Sequence, residues 1–382
     1  MKIWVLGRSY PTKQNKMRGS FELEQAQLLS RYGENKVTYI ACVFHPINKI
    51  RKWGYANFKD GDVKVYVRSV PFAPERMHIH LRNLQGAVWR QLLKKVADED
   101  GIPDIIHVHY PGMVSIADAV LEYKNKGTKI ITTDHWTKTL QNNMDSFQRK
   151  QLKQYAEEAD KIICVSQALK EAIQRITGTK KDIRIVPNVV SNLFTITENK
   201  KAAPNYNFVA VGRLVPVKQI DQIVLAFSKV FAGQVNVTLT VVGNGPEYKK
   251  IKKIIRDFNA ESQIELAGTL TREQTAEKVK KSDCLICFSR LETFGVPVIE
   301  AWACGKPVVA SSAVQILDDW DEDLGYLIPY NDTMKLQSTL ERAYKEKDKF
   351  NAKKIADFAS NNFGEKAIYR KLMNIYCETN MY

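Results

Sequence analysis

The chain has 382 residues, of which 44% are hydrophobic and 26% charged, a composition that is typical of an ordered globular protein and excludes an intrinsically disordered one. This length predicts two domains, because a single hydrophobic core rarely grows so large. The formal net charge of +15 predicts an acidic partner, either nucleic acid, an anionic membrane or a phosphorylated ligand, without choosing among them.

The remaining composition bears on the compartment. No apolar run approaches the length of a membrane-spanning helix, and the N-terminal MKIWVLGRSYP has too short an apolar stretch for a signal peptide. The six cysteines lack the spacing of a disulfide framework, which suits a reducing compartment. Cys284 and Cys287 form a Cys-x-x-Cys pair inside an apolar run without further zinc ligands, so we interpret them as packing residues. The expected location is the cytoplasm.

Short apolar runs alternate with helix-like stretches along the chain. In the first half these runs are Ile3–Leu6, Val37–Val43, Ile105–Val108, Ile130–Thr133, Ile162–Val165 and Ile183–Val186. In the second half they are Phe208–Val211, Leu239–Val242, Ile264–Leu266, Cys284–Phe288 and Pro307–Ala310. Apolar runs without polar alternation predict parallel strands that are covered on both faces. The alternation therefore predicts the α/β class, with two doubly wound, Rossmann-like domains that face each other across a cleft.

The polar, aperiodic segment 191–206 separates the two halves and predicts a linker. The expected domains are an N-terminal one over residues 1–190 and a C-terminal one over residues 207–362. Ligands of doubly wound domains bind at the carboxyl ends of the strands. Polar residues that directly follow the apolar runs are therefore the candidates for a site.

The most informative segment follows the run Cys284–Phe288. It carries two carboxylates, Glu292 and Glu300, on either side of a turn at Gly295 that leads into a predicted helix. Free N–H groups at the start of that helix suit a phosphate or a sugar hydroxyl, and Glu300 could accept hydrogen bonds from a ribose diol. Taken alone, the two carboxylates are as well explained as surface residues near a helix start.

Two cations, Arg213 and Lys218, lie between the run Phe208–Val211 and the next predicted helix. A forked guanidinium and a compact ammonium together suit a diphosphate, and the alternative is a pair of solvated surface cations. A third run leads into Gly243-Asn-Gly-Pro-Glu, a turn at which a ligand can approach the backbone. This last signal is weak by itself.

In combination these motifs resemble the retaining glycosyltransferases of family 4, which have the GT-B fold. Glu292 and Glu300 match the family's Glu-x7-Glu motif, and Arg213 and Lys218 match its Gly-Arg-Leu-x-x-x-Lys motif. Shorter matches extend the resemblance over most of the chain, namely Val186-Pro-Asn-Val, Ile106-His-Val-His-Tyr, Thr132-Thr-Asp-His-Trp, Ser9-Tyr-Pro and Gly19-Ser-Phe21-x-x-x-Gln25.

The resemblance implies an enzyme of class EC 2.4 that moves a sugar from a UDP- or GDP-sugar onto a polysaccharide or a lipid-linked saccharide with retention of configuration. It implies that the N-terminal domain binds the acceptor and the C-terminal domain the donor. It also implies that the segment from about 363 to 382 forms a helix that crosses back onto the N-terminal domain.

The resemblance further implies roles for individual residues. The catalytic residues would be His135, near the reacting sugar, Glu292, which would hold that sugar, and Arg213 and Lys218, which would bind the diphosphate. The donor-binding residues would be Gly19, Gly243, Gly268, Leu270, Phe294, Gly295, Val296 and Glu300.

Three positions depart from the family's pattern. Gln219 follows the lysine where Gly is usual, Arg18 precedes Gly19 where a small residue is usual, and Val189 replaces the Gly of the Pro-Asn-Gly motif. None of them removes a charged ligand group, so they predict local differences in the backbone. His107 and His109 are interpreted as packing residues at the end of a strand.

We expect neither a cofactor nor a metal, since fixed cations and a helix start can stabilise a leaving diphosphate. Three Asp-x-Asp pairs have the spacing of a metal–nucleotide motif, and they are Asp60/Asp62, Asp98/Asp100 and Asp321/Asp323. All three lie in predicted turns, helix ends or loops rather than after a nucleotide-type strand. We interpret them as solvated turn residues.

Two basic segments of the first half, 44–58 and 76–95, bear on the acceptor side. The apolar stripe of the second consists of Leu81, Leu84, Val88 and Leu92. It predicts either a helix lying on an anionic membrane or, as we prefer, an internal helix that buries the stripe. Peripheral contact with the inner face of a membrane stays open on account of the overall charge.

Two other function classes remain as alternatives, a nucleotide-sugar-binding protein without transferase activity and a basic nucleic-acid-binding protein. The chain lacks an aromatic RNA-binding signature, a zinc finger and a helix-turn-helix pattern, so we expect no nucleic-acid partner. Among enzymes, a GT-B epimerase or phosphorylase is the nearest rival. The motifs do not identify the donor base, the sugar, the acceptor or the linkage.

Overall fold

The computed structural model describes residues 1–11, 18–46, 54–72, 81–113, 116–197, 205–317 and 320–380. The chain divides into two compact units. Unit 1 comprises Met1–Pro187 and Ile368–Tyr382, and unit 2 comprises Asn188–Ala367. The segment 191–206, expected to be a linker, falls within unit 2, where Phe194 is buried.

The described part of unit 1 contains one sheet with the strand order β3-β4-β2-β1-β5-β6-β7-β8. Its strands are β1 (Lys2–Gly7), β2 (Lys36–Pro46), β3 (Gly54–Asp60), β4 (Val63–Phe72), β5 (Ile105–His109), β6 (Lys129–Asp134), β7 (Lys161–Cys164) and β8 (Ile183–Ile185). Neighbouring strands are parallel except for β3 and β4, which form an antiparallel hairpin at the edge. The chain direction across the sheet reverses between β1 and β5, and ligands of doubly wound sheets bind at such a switch point.

Helices cover both faces of this sheet in the manner of a doubly wound domain. They are α1 (Ser20–Arg31), α2 (Arg82–Asp100), α3 (Ala117–Leu121), α4 (Thr137–Leu140), α5 (Ser146–Glu158) and α6 (Gln167–Thr177). Helix α2 buries Trp89, Leu92, Leu93 and Val96, whereas Leu84 is 56% exposed. The predicted stripe was therefore wrong at Leu84, whereas Leu81 and Val88 are half-buried and Leu92 is fully buried. Residues 73–80 before the helix lie outside the described ranges.

The described part of unit 2 contains a fully parallel sheet with the strand order β11-β10-β9-β12-β13-β14. Its strands are β9 (Tyr206–Val211), β10 (Val237–Val242), β11 (Ile264–Gly268), β12 (Cys284–Cys287), β13 (Val308–Ser311) and β14 (Gly325–Ile328). Its helices are α7 (Ile220–Val230), α8 (Tyr248–Asp257), α9 (Arg272–Lys280), α10 (Val296–Ala303), α11 (Thr333–Lys345) and α12 (Ala352–Phe363). This is the strand order of the Rossmann fold, and its switch point lies between β9 and β12.

The last helix, α13 (Glu365–Asn380), returns the chain to unit 1 from Ile368 onward. Within unit 1, Tyr376 is fully buried and its hydroxyl lies 2.6 Å from His107 Nδ1. Glu378 pairs with Lys161 at 3.3 Å and with Arg184 at 2.8 Å. These contacts attach the C-terminal helix to the strands β5, β7 and β8.

Every apolar run predicted from the sequence lies on a strand, which confirms the α/β class. The prediction missed the hairpin β3–β4 and the short strand β14. No helix within the described ranges has the combination of length and apolar character that crossing a membrane requires.

Candidate active site

The switch point of unit 2 brings together two loops that carry predicted site residues. The loop after β9 contains Arg213 and Lys218, and the loop after β12 contains Glu292. Strands β9 and β12 are hydrogen-bonded neighbours, so their carboxyl ends deliver both loops to the same place. The loops are also joined directly, since the backbone N–H of Arg290 donates to the carbonyl of Val217 at 2.8 Å.

Lys218 and Glu292 form an ion pair at the centre of this arrangement. Lys218 Nζ donates to Glu292 Oε1 at 2.5 Å, and Ser289 Oγ donates to the same oxygen at 2.7 Å. The side chains of Lys218 and Glu292 are 26% and 9% exposed, so the pair is partly shielded from water. Neither contact uses Oε2 of Glu292, which leaves that oxygen to accept a hydrogen bond from a ligand. The sequence analysis did not single out Ser289, which has no motif signature of its own.

Arg213 differs from Lys218 in its surroundings. Its side chain is exposed and makes no ion pair with any residue that the structure describes. The backbone next to it is fixed, because Leu214 N–H donates to the carbonyl of Asn244 at 3.0 Å. A guanidinium on a fixed backbone with its donors available suits a phosphate group.

The helix α10 begins beside this pair. Its N-cap, Gly295, has φ 107°, and a Cβ there would lie 2.9 Å from Val314 Cγ1. Phe294 is buried against Phe363, which fixes the turn from behind, and Val296 is the first helical residue. The N–H groups of the first turn carry the positive end of the helix dipole, and this favours an anion.

Glu300 lies one turn inside α10 and is held by a residue that the sequence analysis missed. Arg272 Nη1 donates to Glu300 Oε1 at 2.5 Å, and the side chains are 15% and 4% exposed. The Arg272 guanidinium also lies over the Phe194 ring, 5.3 Å from its centroid. Arg272 is the first residue of helix α9 and follows the predicted donor residues Gly268 and Leu270. A cation so close to those residues is the feature of the sequence that could have identified it.

The glycines after β10 and β11 bring two loops into contact. Gly243 N–H donates to the carbonyl of Gly268 at 2.8 Å. At Gly243 φ is 144°, and a Cβ would lie only 1.8 Å from the carbonyl oxygen of Gly212. At Gly268 φ is 69°, and a Cβ would meet no atom within 4 Å. Gly243 therefore serves close backbone packing, and Gly268 borders open space next to the half-buried Leu270.

In unit 1, Gly19 is the N-cap of α1 and follows the predicted first loop. Its φ is 87°, and a Cβ there would lie 2.1 Å from the carbonyl oxygen of Ser9. The buried hydroxyl of Tyr39 donates to the carbonyl of Ser9 at 2.6 Å. Only glycine allows this approach, so Gly19 is held against Ser9 at the end of β1.

His135 follows β6 and belongs to a stack of three imidazoles. His109 and His135 have centroids 5.2 Å apart, and His107 and His109 have centroids 4.5 Å apart. His135 Nε2 lies within hydrogen-bond distance of His109 Nδ1, at 3.0 Å. His107 and His109 are fully buried, which agrees with packing roles, and the link to His135 gives His109 a second role that spacing alone did not indicate.

Burial sets the charge states in this stack. It lowers the pKa of His107 to about 3, and together with the neighbouring imidazoles it lowers the pKa of His109 well below the usual value. Burial also raises the pKa of Asp134 to about 6. The Asp134 carboxylate accepts from Trp136 N–H at 2.8 Å and from Thr139 Oγ1 at 2.7 Å, which fixes the loop that carries His135.

The Asp-x-Asp pairs lie at the ends of elements: Asp60 ends β3, Asp98 and Asp100 lie in the last turn of α2, and Asp321 caps a short 3-10 helix that contains Asp323. The prediction of solvated turn residues was wrong for several of these carboxylates, because they accept hydrogen bonds or pair with lysines. Asp60 accepts from Tyr10 and Gln27, and Asp100 and Asp323 pair with lysines. Within the described ranges, no group of three or more His, Cys, Asp or Glu side chains has the arrangement of a metal site. The two cysteines of the Cys-x-x-Cys pair are buried in β12, where burial raises the pKa of both thiols.

Two family models match the sequence and divide it between the units. The model described as "Glycosyltransferase Family 4" matches residues 36–191, and the model described as "Glycosyl transferases group 1" matches residues 194–362.

Curated relatives resemble the chain at modest identity. The N-acetyl-alpha-D-glucosaminyl L-malate synthase of Bacillus anthracis is 26% identical over 260 residues, which cover 63% of this chain and 65% of that protein. The phosphatidylinositol N-acetylglucosaminyltransferase GPI3 subunit of Saccharomyces cerevisiae (strain YJM789) is 26% identical over 215 residues, which cover 54% of this chain and 48% of that subunit. The chain thus spans less than two thirds of the length of both relatives.

Solved structures share the fold over the full length. Sucrose-phosphate synthase from Thermosynechococcus elongatus has a TM-score of 0.76 at 18% identity, covering 99% of this chain and 98% of that one. Anabaena Alr3699/HepE in complex with UDP-glucose has a TM-score of 0.68 at 17% identity, covering 99% and 100%. With both units matched in sequence and fold, the chain belongs to the glycosyltransferase group 1 family, also called glycosyltransferase family 4, with two Rossmann-like domains of the GT-B type.

Proposed function

We propose that the chain is a retaining, metal-independent transferase that moves a sugar from a nucleotide-sugar donor onto a saccharide or lipid-linked acceptor. The observation that carries the proposal is the Lys218–Glu292 pair at the switch point of unit 2, beside the available guanidinium of Arg213. The Lys218 ammonium of this pair suits a phosphate ligand, and Glu292 Oε2 suits a hydroxyl of a sugar ligand.

The reaction must stabilise a nucleoside diphosphate that departs with negative charge. Lys218, Arg213 and the N-terminus of α10 supply fixed positive charge at the carboxyl end of the sheet. One well-placed donor to developing charge lowers a barrier by roughly 3 kcal/mol. Removal of the Lys218 ammonium is therefore expected to slow the reaction by ~100-fold or more.

The remaining groups orient the donor. Glu300, fixed by Arg272, is proposed to accept from the ribose hydroxyls, and Glu292 Oε2 from a hydroxyl of the transferred sugar. His135 is proposed to act on the reacting sugar. In the front-face route, the bond from the anomeric carbon to the phosphate oxygen breaks as the acceptor oxygen bonds on the same face. The acceptor proton passes to the departing phosphate oxygen.

The relatives suggest which donor to test first. Two of them are named for the N-acetylglucosaminyl group, and a structural neighbour is described in complex with UDP-glucose. We therefore rank UDP-N-acetylglucosamine first and UDP-glucose second among the donors, with GDP-sugars retained in the comparison. The phosphatidylinositol in the name of the yeast relative supports a lipid-linked acceptor.

The charge distribution supports a cytoplasmic enzyme that works next to an anionic membrane. Unit 1, the proposed acceptor side, has 33 Lys and Arg against 20 Asp and Glu, whereas unit 2 has 24 against 22. Nearly all of the excess positive charge therefore belongs to unit 1. Anionic lipids attract such a surface at about 1 kcal/mol per exposed cation.

The test is binding and slow hydrolysis of UDP-N-acetylglucosamine, UDP-glucose, GDP-mannose and ADP-glucose, each with and without EDTA. Wild type is compared with Lys218→Ala and Glu300→Ala. We expect one donor to be preferred, EDTA to have no effect, and both variants to lose binding or turnover of that donor. Lys252→Ala, an exposed lysine of α8 outside the site, is the matched control and should behave as wild type.

Each part of the proposal can fail separately. If EDTA abolishes turnover and Mg²⁺ restores it, the metal-independent mechanism is wrong. If donors bind but no acceptor fraction supports transfer, the chain is a nucleotide-sugar-binding protein. If no donor binds, or if the two site variants match Lys252→Ala, the site assignment is wrong.

A further inference from the structure

Gln219 has an unusual combination of backbone conformation and burial. Its φ is 49° and its ψ 33°, in the left-handed region that glycine adopts most easily, yet it carries a long side chain that is 3% exposed. A non-glycine residue in this region costs about 1 kcal/mol or more. The side chain is therefore expected to make contacts that offset this cost.

The Gln219 amide makes three such contacts in one orientation. Its nitrogen donates to the carbonyls of Phe288 at 3.0 Å and Tyr330 at 2.9 Å, and its oxygen accepts from Arg290 Nε at 3.1 Å. The two carbonyls fix the direction of the amide, because a reversed amide would bring its oxygen against both of them. The amide oxygen therefore points away from the two carbonyls and accepts the hydrogen bond from Arg290 Nε.

Arg290 is held at two points beside the Lys218–Glu292 pair. Its backbone N–H donates to the carbonyl of Val217, the residue before Lys218, and its Nε is bound by Gln219. The residue is exposed, and among the described residues neither terminal nitrogen of the guanidinium has a partner. A guanidinium pinned at Nε with two terminal nitrogens available presents the fork that binds two oxygens of one phosphate.

The charge of the site favours a third cation. Arg213 and Lys218 carry two positive charges, but Glu292 is paired with Lys218 and cancels one of them. A single net positive charge is left to face a diphosphate leaving group. Arg290 adds one positive charge, so the net charge of these four side chains is +2. It lies on the loop that carries Glu292, two residues before it.

We propose that Arg290 is a further contact to the donor diphosphate and that Gln219 is the positioning residue that orients it. The inference rests on the proposed function, because it requires a nucleoside diphosphate in unit 2. The positioning role explains why Gln219 has both a buried amide and a left-handed backbone.

The experiment is calorimetric binding of UDP and, in parallel, GDP to the full chain, with uridine and guanosine as ligands that lack phosphate. The variants are Arg290→Ala, Arg290→Lys, Gln219→Gly and the double variant Gln219→Gly/Arg290→Ala, and Lys218→Ala serves as the positive control. Glycine at 219 keeps the left-handed backbone available while it removes the amide. Melting temperatures are recorded for all variants.

For the nucleotide that wild type binds, Arg290→Ala is expected to weaken binding by about 10-fold or more, without changing binding of the nucleoside. Arg290→Lys should recover only part of this loss, because a lysine has no fork. Gln219→Gly should weaken binding about 3- to 10-fold. The double variant should bind as Arg290→Ala does, because a positioning residue has no effect once its target is gone.

Two results would overturn the inference. Wild-type affinity in Arg290→Ala, with affinity lost in Lys218→Ala, would remove Arg290 from the site while leaving the proposed function intact. Losses that add in the double variant would mean that Gln219 acts on the fold and not through Arg290. A wild type that binds neither UDP nor GDP would instead contradict the proposed function itself.

Discussion

Unit 1 and unit 2 share a doubly wound architecture but differ in where their titratable groups lie. All six histidines of the chain are in unit 1, and two of them, His107 and His109, are fully buried on β5 beside Asp134 of β6. Unit 2 has no histidine, and its proposed phosphate ligands, Arg213 and Lys218, lie in the loop after β9. Unit 1 thus has a desolvation cost inside its sheet, whereas the proposed phosphate ligands of unit 2, Arg213 and Lys218, keep partial contact with water.

This difference indicates separate physical tasks. Partly exposed cations at a switch point stay charged and can exchange bound water for the oxygens of an anionic ligand. Buried neutral imidazoles instead fix the geometry of strand ends through stacking and hydrogen bonds, as His109 does for His135. We therefore expect damage to unit 2 loops to change donor binding, and damage to the unit 1 stack to change stability and its pH dependence.

The largest effect is expected where a loop contact requires glycine. Gly243→Ala should lower the stability of unit 2 by about 3 kcal/mol or more, because the new Cβ would lie 1.8 Å from the Gly212 carbonyl oxygen. Gly233→Ala is the matched control, with φ 76° and no atom within 4 Å, and should cost about 1 kcal/mol. Urea unfolding followed by tryptophan fluorescence measures the loss, and Trp302 and Trp320 contribute the part of the signal that comes from unit 2. Equal losses in the two variants would contradict the close packing at Gly243.

Acid should weaken unit 1 more than unit 2. The pKa of His107 is about 3 in the folded state against about 6.5 unfolded, so below pH 6.5 the unfolded chain binds a proton that the folded chain does not. His109 acts with the same sign. Asp134 opposes them, since its pKa of about 6 lets the folded state bind a proton first as the pH falls. At pH 5 the His107 shift costs about 2 kcal/mol, His109 adds a cost of the same sign, and Asp134 offsets about 1 kcal/mol.

Hydrogen exchange at pH 7.5 and pH 5, corrected for intrinsic rates, measures this effect in each unit separately. Peptides from β5 and β6 should lose protection at pH 5, and peptides from β12 should not. In unit 2, burial raises the pKa of Asp283, so mild acid favours its folded state slightly. Loss of protection in both units to the same extent would remove the contrast between them.

Within unit 1, the residues that contact the two ends of the His107–His109 pair, Tyr376 and His135, should separate catalysis from stability. His135→Ala is expected to lower kcat by about 10-fold with little change in melting temperature, because His135 is only half-buried. Tyr376→Phe should leave kcat unchanged and cost about 1 kcal/mol, because it removes the hydroxyl that contacts His107. Donor hydrolysis rates and thermal melts check both variants. A kcat loss in Tyr376→Phe would mean that the whole histidine stack takes part in catalysis.

The sequence predicted most of the strands because continuous apolar runs identify buried parallel strands. It missed the hairpin β3–β4 because polar residues alternate with apolar ones in both strands, as Asn57 and Lys59 do on the edge strand β3 and Lys64 does on β4, and this alternation breaks an apolar run. It missed β14 because the four residues of Gly325–Ile328 are too few to form a pattern.

The candidate site was predicted where a residue sits in a motif and missed where its role depends on a distant partner. Arg213, Lys218, Glu292 and Glu300 have fixed spacings, but the pairing of Arg272 with Glu300 spans 28 positions and needs the fold. The stacking of His109 on His135 depends on the register of β5 against β6. Gln219 stood out in the sequence because the family usually has glycine at that position. Its left-handed backbone and its contact with Arg290 became visible only in the structure.

The smallest expected effects concern the surface charge that distinguishes the units. Binding to vesicles with 30% anionic phosphatidylglycerol should weaken by roughly fivefold or more for each exposed unit 1 lysine reversed, as in Lys94→Glu or Lys150→Glu, because loss of the cation alone removes about 1 kcal/mol. Lys252→Glu and Lys253→Glu on α8 of unit 2 are controls with the same change of charge, and should have less effect. Added salt should weaken binding of the wild type, because screening shortens the range of the attraction. If the unit 2 reversals weaken binding more, the membrane-facing surface belongs to α8, and the excess charge of unit 1 serves the acceptor alone.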